Sequence, residues 1–149
     1  MNAPPTEPMA ADPAPAPARP TRELDHQRAA IAALGDELRA LVDATVRTAT
    51  PTDVLHRVTN DVRRLTGQLT GRRRVRAEIQ AVDQFPGGVR MYSPVTGAGS
   101  PLAPPMHVTP DSGGMMGHCT LGIAHEGPPG YGHGGMSAML LDELLRLKA

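Results

Sequence analysis

The chain has 149 residues with 15 basic and 15 acidic side chains, 16 prolines, 16 glycines, one cysteine, one phenylalanine, two tyrosines and no tryptophan. Balanced charge excludes a global pull toward nucleic acid or a membrane surface, and no stretch approaches the roughly 18 uninterrupted apolar residues of a membrane span. The single Cys119 excludes an internal disulfide and suits a reducing cytoplasm, while the scarcity of aromatic rings, which commonly fill a core, implies a small autonomous one.

Residues 1–20 are nearly all Ala, Pro, Asp, Glu and Thr without apolar periodicity, so they read as a disordered Pro/Ala-rich tail and not as a secretion signal. Residues 21–75 read as a helical hairpin extension. From Thr21 to Thr48 the residues Leu24, Ile31, Leu34, Leu38, Leu41 and Thr45/Val46 recur at intervals of three, four and seven, which is one face of an amphipathic helix. Thr50-Pro51-Thr52-Asp53 then predicts a restart: a Thr N-cap, Pro at the first helical position and an acid in the first turn. Val54, Leu55, Val58, Val62, Leu65 and Leu69 form a second apolar stripe that ends near Gly71, giving two antiparallel helices. Arg72, Arg73, Arg74 and Arg76 follow. They read first as a solvated basic helix end that complements the macrodipole, and second as a phosphate contact to the nucleotide end of a coenzyme.

From residue 76 to 149 the pattern changes. Pro86-Gly87-Gly88, Ser93-Pro94, Gly97 to Ser100 and Pro104-Pro105 predict loops, with at most one short strand near Val89 to Tyr92. Met106 to Thr109 and Met115 to Ala124 predict a β-hairpin turning over Pro110 to Gly114. A Gly/Pro-rich loop then runs into His133-Gly134-Gly135, where an apolar helix, Met136 to Leu147, begins. Glycines delivered to a helix N-terminus offer free backbone N–H groups and a positive dipole end, suited to a developing negative charge. Asp142 is set among Met139, Leu140, Leu141, Leu144 and Leu145, and is either a working carboxylate or, with Glu143, the solvent face of the helix. Glu126 caps or braces the loop, and Gly134 and Gly135 also suit close helix–sheet packing.

The segment Glu126-Gly-Pro-Pro-Gly-Tyr131-Gly-His133-Gly134-Gly135 through Leu145 resembles the signature of hotdog-fold acyl-CoA thioesterases of the phenylacetate-degradation (PaaI-like) type. In that family a His-Gly-Gly precedes the central helix and a catalytic Asp lies nine positions after the His, the separation of His133 and Asp142. Met91 to Val95 and Pro101 to Pro105 are similar to bacterial members with a helical N-terminal extension. The loop departs from the family in one respect: Gly127-Pro128-Pro129-Gly130 stands where many members place an Asn or another polar group.

The resemblance implies an α+β fold, a helical extension followed by a hotdog domain, and hydrolysis of a coenzyme A thioester with no cofactor. It implies Asp142 as general base or nucleophile, with a pKa raised by its apolar neighbours. Backbone N–H groups of Gly134, Gly135 and Met136 would polarise the carbonyl, His133 would orient the loop, and Gly130 and Tyr131 would lie against the substrate. Asp142 and Gly135 are separated by roughly 10 Å along one helix, so both cannot serve one carbonyl and the site is expected to be composite. A homodimer or tetramer follows. His107, His118, His125 and His133 match no compact zinc spacing, and Cys119, inside a predicted strand, has no acid–base partner, so neither a metal nor a catalytic thiol is expected.

In the family most of the sheet follows the central helix, whereas this sequence stops at Ala149. The expectation is therefore an incomplete hotdog domain, its later strands missing because the chain ends early. The alternative function is an inactive remnant or a helical interaction protein.

Overall fold

The computed structural model describes residues 22–73, 79–84 and 90–148. The tail, Arg74, Arg76 and the Pro86-Gly87-Gly88 segment lie outside the described residues. Helix α1 spans Arg22–Arg47 and α2 spans Thr52–Leu69. A hairpin pairs β1, His107–Asp111, with β2, Gly114–His118, and α3 runs over Gly134–Lys148. Short 3-10 turns occur at Ala81–Asp83 and Ile123–His125. The described residues thus form an α+β arrangement of three helices and one two-stranded antiparallel sheet.

The core is small and lies where α1, the segment 91–106 and α3 meet. Its buried apolar residues are Val82, Met91, Val95, Ala103 and Met106. Segment 91–106 has no regular structure, so its backbone must be satisfied locally. Met91 N–H donates to Asp83 Oδ1 (2.8 Å) and Gly99 N–H to Met91 O (2.8 Å), and Ser93 Oγ accepts from Val95 and Thr96 N–H (3.2 Å each). Two arginines of α1 clamp this loop architecture. Arg28, 8% exposed, donates to the carbonyls of Ala81, Val82 and Gln84 at 3.3 Å each. Arg39 donates from Nη1 to Ala98 O (3.0 Å) and Ser100 O (2.7 Å) while its Nη2 pairs with Asp36. Gly35 brings α1 against the loop: a Cβ there would stand 2.3 Å from Ala98 O.

Helix α2 follows a different rule. Its apolar stripe is continuous, but none of its residues is buried, and Leu55, Val58, Val62, Leu65 and Leu69 remain exposed. Its start differs by one residue from the predicted cap. Pro51 takes the N-cap place and its carbonyl accepts from Val54 and Leu55 N–H, while Thr50 Oγ1 accepts from Thr48 Oγ1.

The hairpin is shorter and shifted relative to the sequence expectation. Pro110 and Asp111 belong to β1, the loop is Ser112-Gly113 with Gly113 at φ 85°, and β2 stops at His118. Pro110 is tolerated because a two-stranded sheet leaves an outer edge that needs no donor. Thr120 to Ala124 are not a strand, and Cys119 is exposed in the connection after β2. Arg90 to Tyr92 likewise form no strand; Met91 and Tyr92 enter a turn. At Gly117 the missing Cβ lets Met106 and Leu144 close over β2, which seats α3 on the hairpin.

Candidate active site

The loop that reaches α3 is built from its own hydrogen bonds. Glu126 forms a bridge with Gly132, Gly127 N–H donates to Tyr131 O (2.8 Å), and Tyr131 N–H donates to Pro128 O (2.9 Å). Pro128 to Tyr131 is a tight turn with Pro129 second and Gly130 third, and Gly130 takes φ 84°, a region in which glycine is favoured. Glu126 Oε1 accepts from Gly130 N–H at 2.6 Å, so this carboxylate braces the turn. Tyr131 projects outward, 72% exposed.

His133 caps α3. Its N–H donates to His125 O (2.9 Å), its carbonyl accepts from Met136 (2.9 Å) and Ser137 (3.2 Å), and its Nδ1 accepts from Gly135 N–H at 3.1 Å. An accepting Nδ1 places the ring proton on Nε2. Of the donors expected to polarise a carbonyl, Gly135 and Met136 are therefore engaged by the helix cap itself, and Gly134 N–H alone is left without a partner among the described residues. Space around it is open, since a Cβ at Gly134 would meet nothing within 4 Å. The free donor and the helix dipole make this end of α3 an anion-attracting point.

Asp142 is not buried among its apolar neighbours, and Glu143 does not share a solvent face with it. Asp142 is exposed, whereas Glu143 is 9% exposed. Glu143 Oε1 accepts from Thr96 Oγ1 (3.3 Å), and both its carboxylate oxygens accept from Arg146 (2.8 and 2.9 Å). The Arg146 hydrogen bond is the main cause that holds the Glu143 carboxyl below the usual carboxylate range; burial acts the other way, and the Arg146 charge and Thr96 add to the lowering. The sequence reading missed Thr96 altogether. The Glu143–Arg146 spacing of three on a helix was the legible half of that network.

Among the described residues no group of three or more His, Cys, Asp or Glu side chains could hold a metal ion, and no helix is long and apolar enough to cross a membrane. Arg72 and Arg73 are exposed beyond the end of α2.

No family model matches the sequence, and no curated protein matches it. Among solved structures, the chain is similar to the crystal structure of a thioesterase superfamily protein, with 38% sequence identity and a TM-score of 0.68 over 79% of this chain. The chain spans 59% of that protein's length. The α+β arrangement therefore matches a thioesterase-superfamily, hotdog-like fold over the aligned part.

Proposed function

We propose that this chain is a subunit of a homo-oligomeric acyl-CoA thioesterase of the phenylacetate-degradation type, with the coenzyme A thioester as substrate and no cofactor. The observation that carries the proposal is the unpartnered Gly134 N–H at the open N-terminus of α3, presented by a self-braced loop. Likeness to a thioesterase superfamily protein supports the same reading.

In the proposed mechanism the thioester carbonyl oxygen lies against Gly134 N–H, where the helix dipole favours the charge that grows on it during attack. Asp142 of the partner subunit faces the carbonyl carbon, since Gly134 and Asp142 of one helix are eight residues, or roughly 12 Å, apart. Asp142 takes a proton from water as water attacks, or attacks directly and is later released by water. In either route the C–S bond breaks and the thiolate of coenzyme A leaves and is protonated. His133 acts by holding the cap, and Gly130 and Tyr131 border the approach.

Hydrolysis of a series of acyl-CoA thioesters by the full chain, followed by release of free thiol, tests this. Asp142→Asn is expected to lose at least about 100-fold in kcat, the low end for removal of a general base. Equal activity of the two proteins sinks the assignment.

A further inference from the structure

A cleft of about 680 Å³ lies between the middle of α1, the proline-rich segment 101–105 and the first two turns of α3. Ala40 and Val42 line it on one side, Leu102 and Pro105 on a second, and Met136 and Met139 on a third. Its size and mostly apolar lining are those of a small-molecule site. Most polar groups at its border are already engaged; the exception is His125 Nδ1, which is buried without a hydrogen-bond partner among the described residues. The Arg39 guanidinium is committed to Ala98 O, Ser100 O and Asp36, the Asp43 carboxylate accepts from Arg47 Nε (2.7 Å), and His125 Nε2 is bonded to Leu102 O (3.3 Å). Arg39 and Asp43 are thus no free charged anchors, and an occupant is recognised mainly by shape and apolar contact, with His125 Nδ1 the polar atom still without a partner.

The cleft comes near the proposed reaction point in sequence through its lining residue Met136. Met136 follows the free donor of Gly134 by two residues, roughly 3 Å of helix rise, and helical side chains lean toward the N-terminus. Met139 lies one turn further along the same wall. A chain that starts at Gly134 and runs over Met136 and Met139 enters the cleft against α1.

We infer that this cleft holds the aliphatic acyl chain of the substrate, and that α1 through Ala40 and Val42 sets the chain length accepted. This rests on the thioesterase reading for the identity of the ligand. Prolines give rigid walls on one side, and the unbranched methionines give an adaptable one on the other, an arrangement that admits chains of more than one length up to a stop. The stop is α1.

The test uses the full-length protein and two variants that fill the cleft from opposite walls, Ala40→Phe and Met139→Trp. Both positions are partly solvent-exposed, so the larger side chains are compatible with folding, which far-UV circular dichroism checks. Binding is read with cis-parinaric acid, whose fluorescence rises in an apolar site, and hydrolysis with acetyl- to dodecanoyl-CoA. Each variant is expected to weaken parinaric acid binding about 10-fold or more and to move the kcat/KM optimum to shorter chains. If both variants bind the probe like the wild type and keep its chain-length profile, the inference is overturned. The two readings fail separately. A protein that binds the probe in the cleft but cleaves no thioester keeps the cleft and loses the thioesterase. One that cleaves thioesters with an unaltered profile in both variants does the reverse.

Discussion

Glycine in a helix interior ordinarily lowers stability, and replacing it by alanine returns about 1 kcal/mol. At Gly35 the sign is expected to reverse. A Cβ there would lie 2.3 Å from Ala98 O, 2.9 Å from Gly99 Cα and 3.0 Å from Gly99 C, all of them backbone atoms. That backbone has little freedom to retreat, because Arg39 holds Ala98 O (3.0 Å) and Ser100 O (2.7 Å) and Gly99 N–H is tied to Met91 O (2.8 Å). Relief requires either overpacking, about 1–3 kcal/mol, or the loss of charge-assisted hydrogen bonds at about 1.5–3 kcal/mol each. Set against the propensity gain, the net loss for Gly35→Ala is about 1–2 kcal/mol. For a body of roughly 100 residues this lowers Tm by about 5–10 °C. The matched control is Gly67→Ala on α2, where a Cβ meets nothing within 4 Å; only the propensity term survives, and helical content should rise. Thermal unfolding followed by circular dichroism at 222 nm measures both. A Gly35→Ala protein as stable as wild type would refute the close approach of α1 to segment 97–99.

Two further outcomes follow from buried polar groups. The Glu143 carboxyl is held below its ordinary range by the Arg146 hydrogen bond, so the unfolded chain binds more protons than the folded one as pH falls. Its stabilisation is present above the ordinary carboxylate pKa and is lost as pH drops through the lowered value; urea denaturation between neutral and strongly acid pH should show this fall, and Glu143→Gln should flatten it. Arg28→Met keeps the aliphatic stem but leaves the carbonyls of Ala81, Val82 and Gln84 without their shared donor. A loss of about 2–4 kcal/mol in the same denaturation assay is expected, with no gain at any pH.

Much of the helical framework was legible in the sequence because apolar spacing and helix period coincide over long windows. Leu24 to Val46 and Val54 to Leu69 predict α1 and α2 almost to the residue. The loop before α3 was legible for a different reason, since Pro129-Gly130 and His133-Gly134-Gly135 carry local turn and cap chemistry that needs no tertiary context. Tertiary pairing was not legible. Apolar runs such as Thr120 to Ala124 look extended by composition, yet a 3-10 turn at Ile123–His125 packs against α1 instead. Nor does any local pattern reveal that Arg28 and Arg39, whose neighbours suggest a solvated helix face, reach loop carbonyls more than fifty residues away. The apolar stripe of α2 shows the converse: its periodicity predicts a buried face, and the described chain leaves that face open.

The same distinction explains why Asp142, and not its neighbour, faces outward. Adjacent residues on a helix point about 100° apart, so of two consecutive carboxylates in α3 only one can turn toward the core. Apolar context cannot choose between them, because Leu140, Leu141, Leu144 and Leu145 flank both equally. The choice is made by Thr96 and Arg146, which together satisfy the oxygens of Glu143 and lower the cost of its burial. Thr96 is itself placed by Ser93 Oγ, within a loop whose Ala98 and Ser100 carbonyls are fixed to Arg39 of α1. A connected set of hydrogen bonds therefore runs from α1 through the loop to α3 and sets the rotation of that helix. With Glu143 turned inward, Asp142 is presented on the exposed side, the side that the mechanism proposed above requires to be open to another subunit.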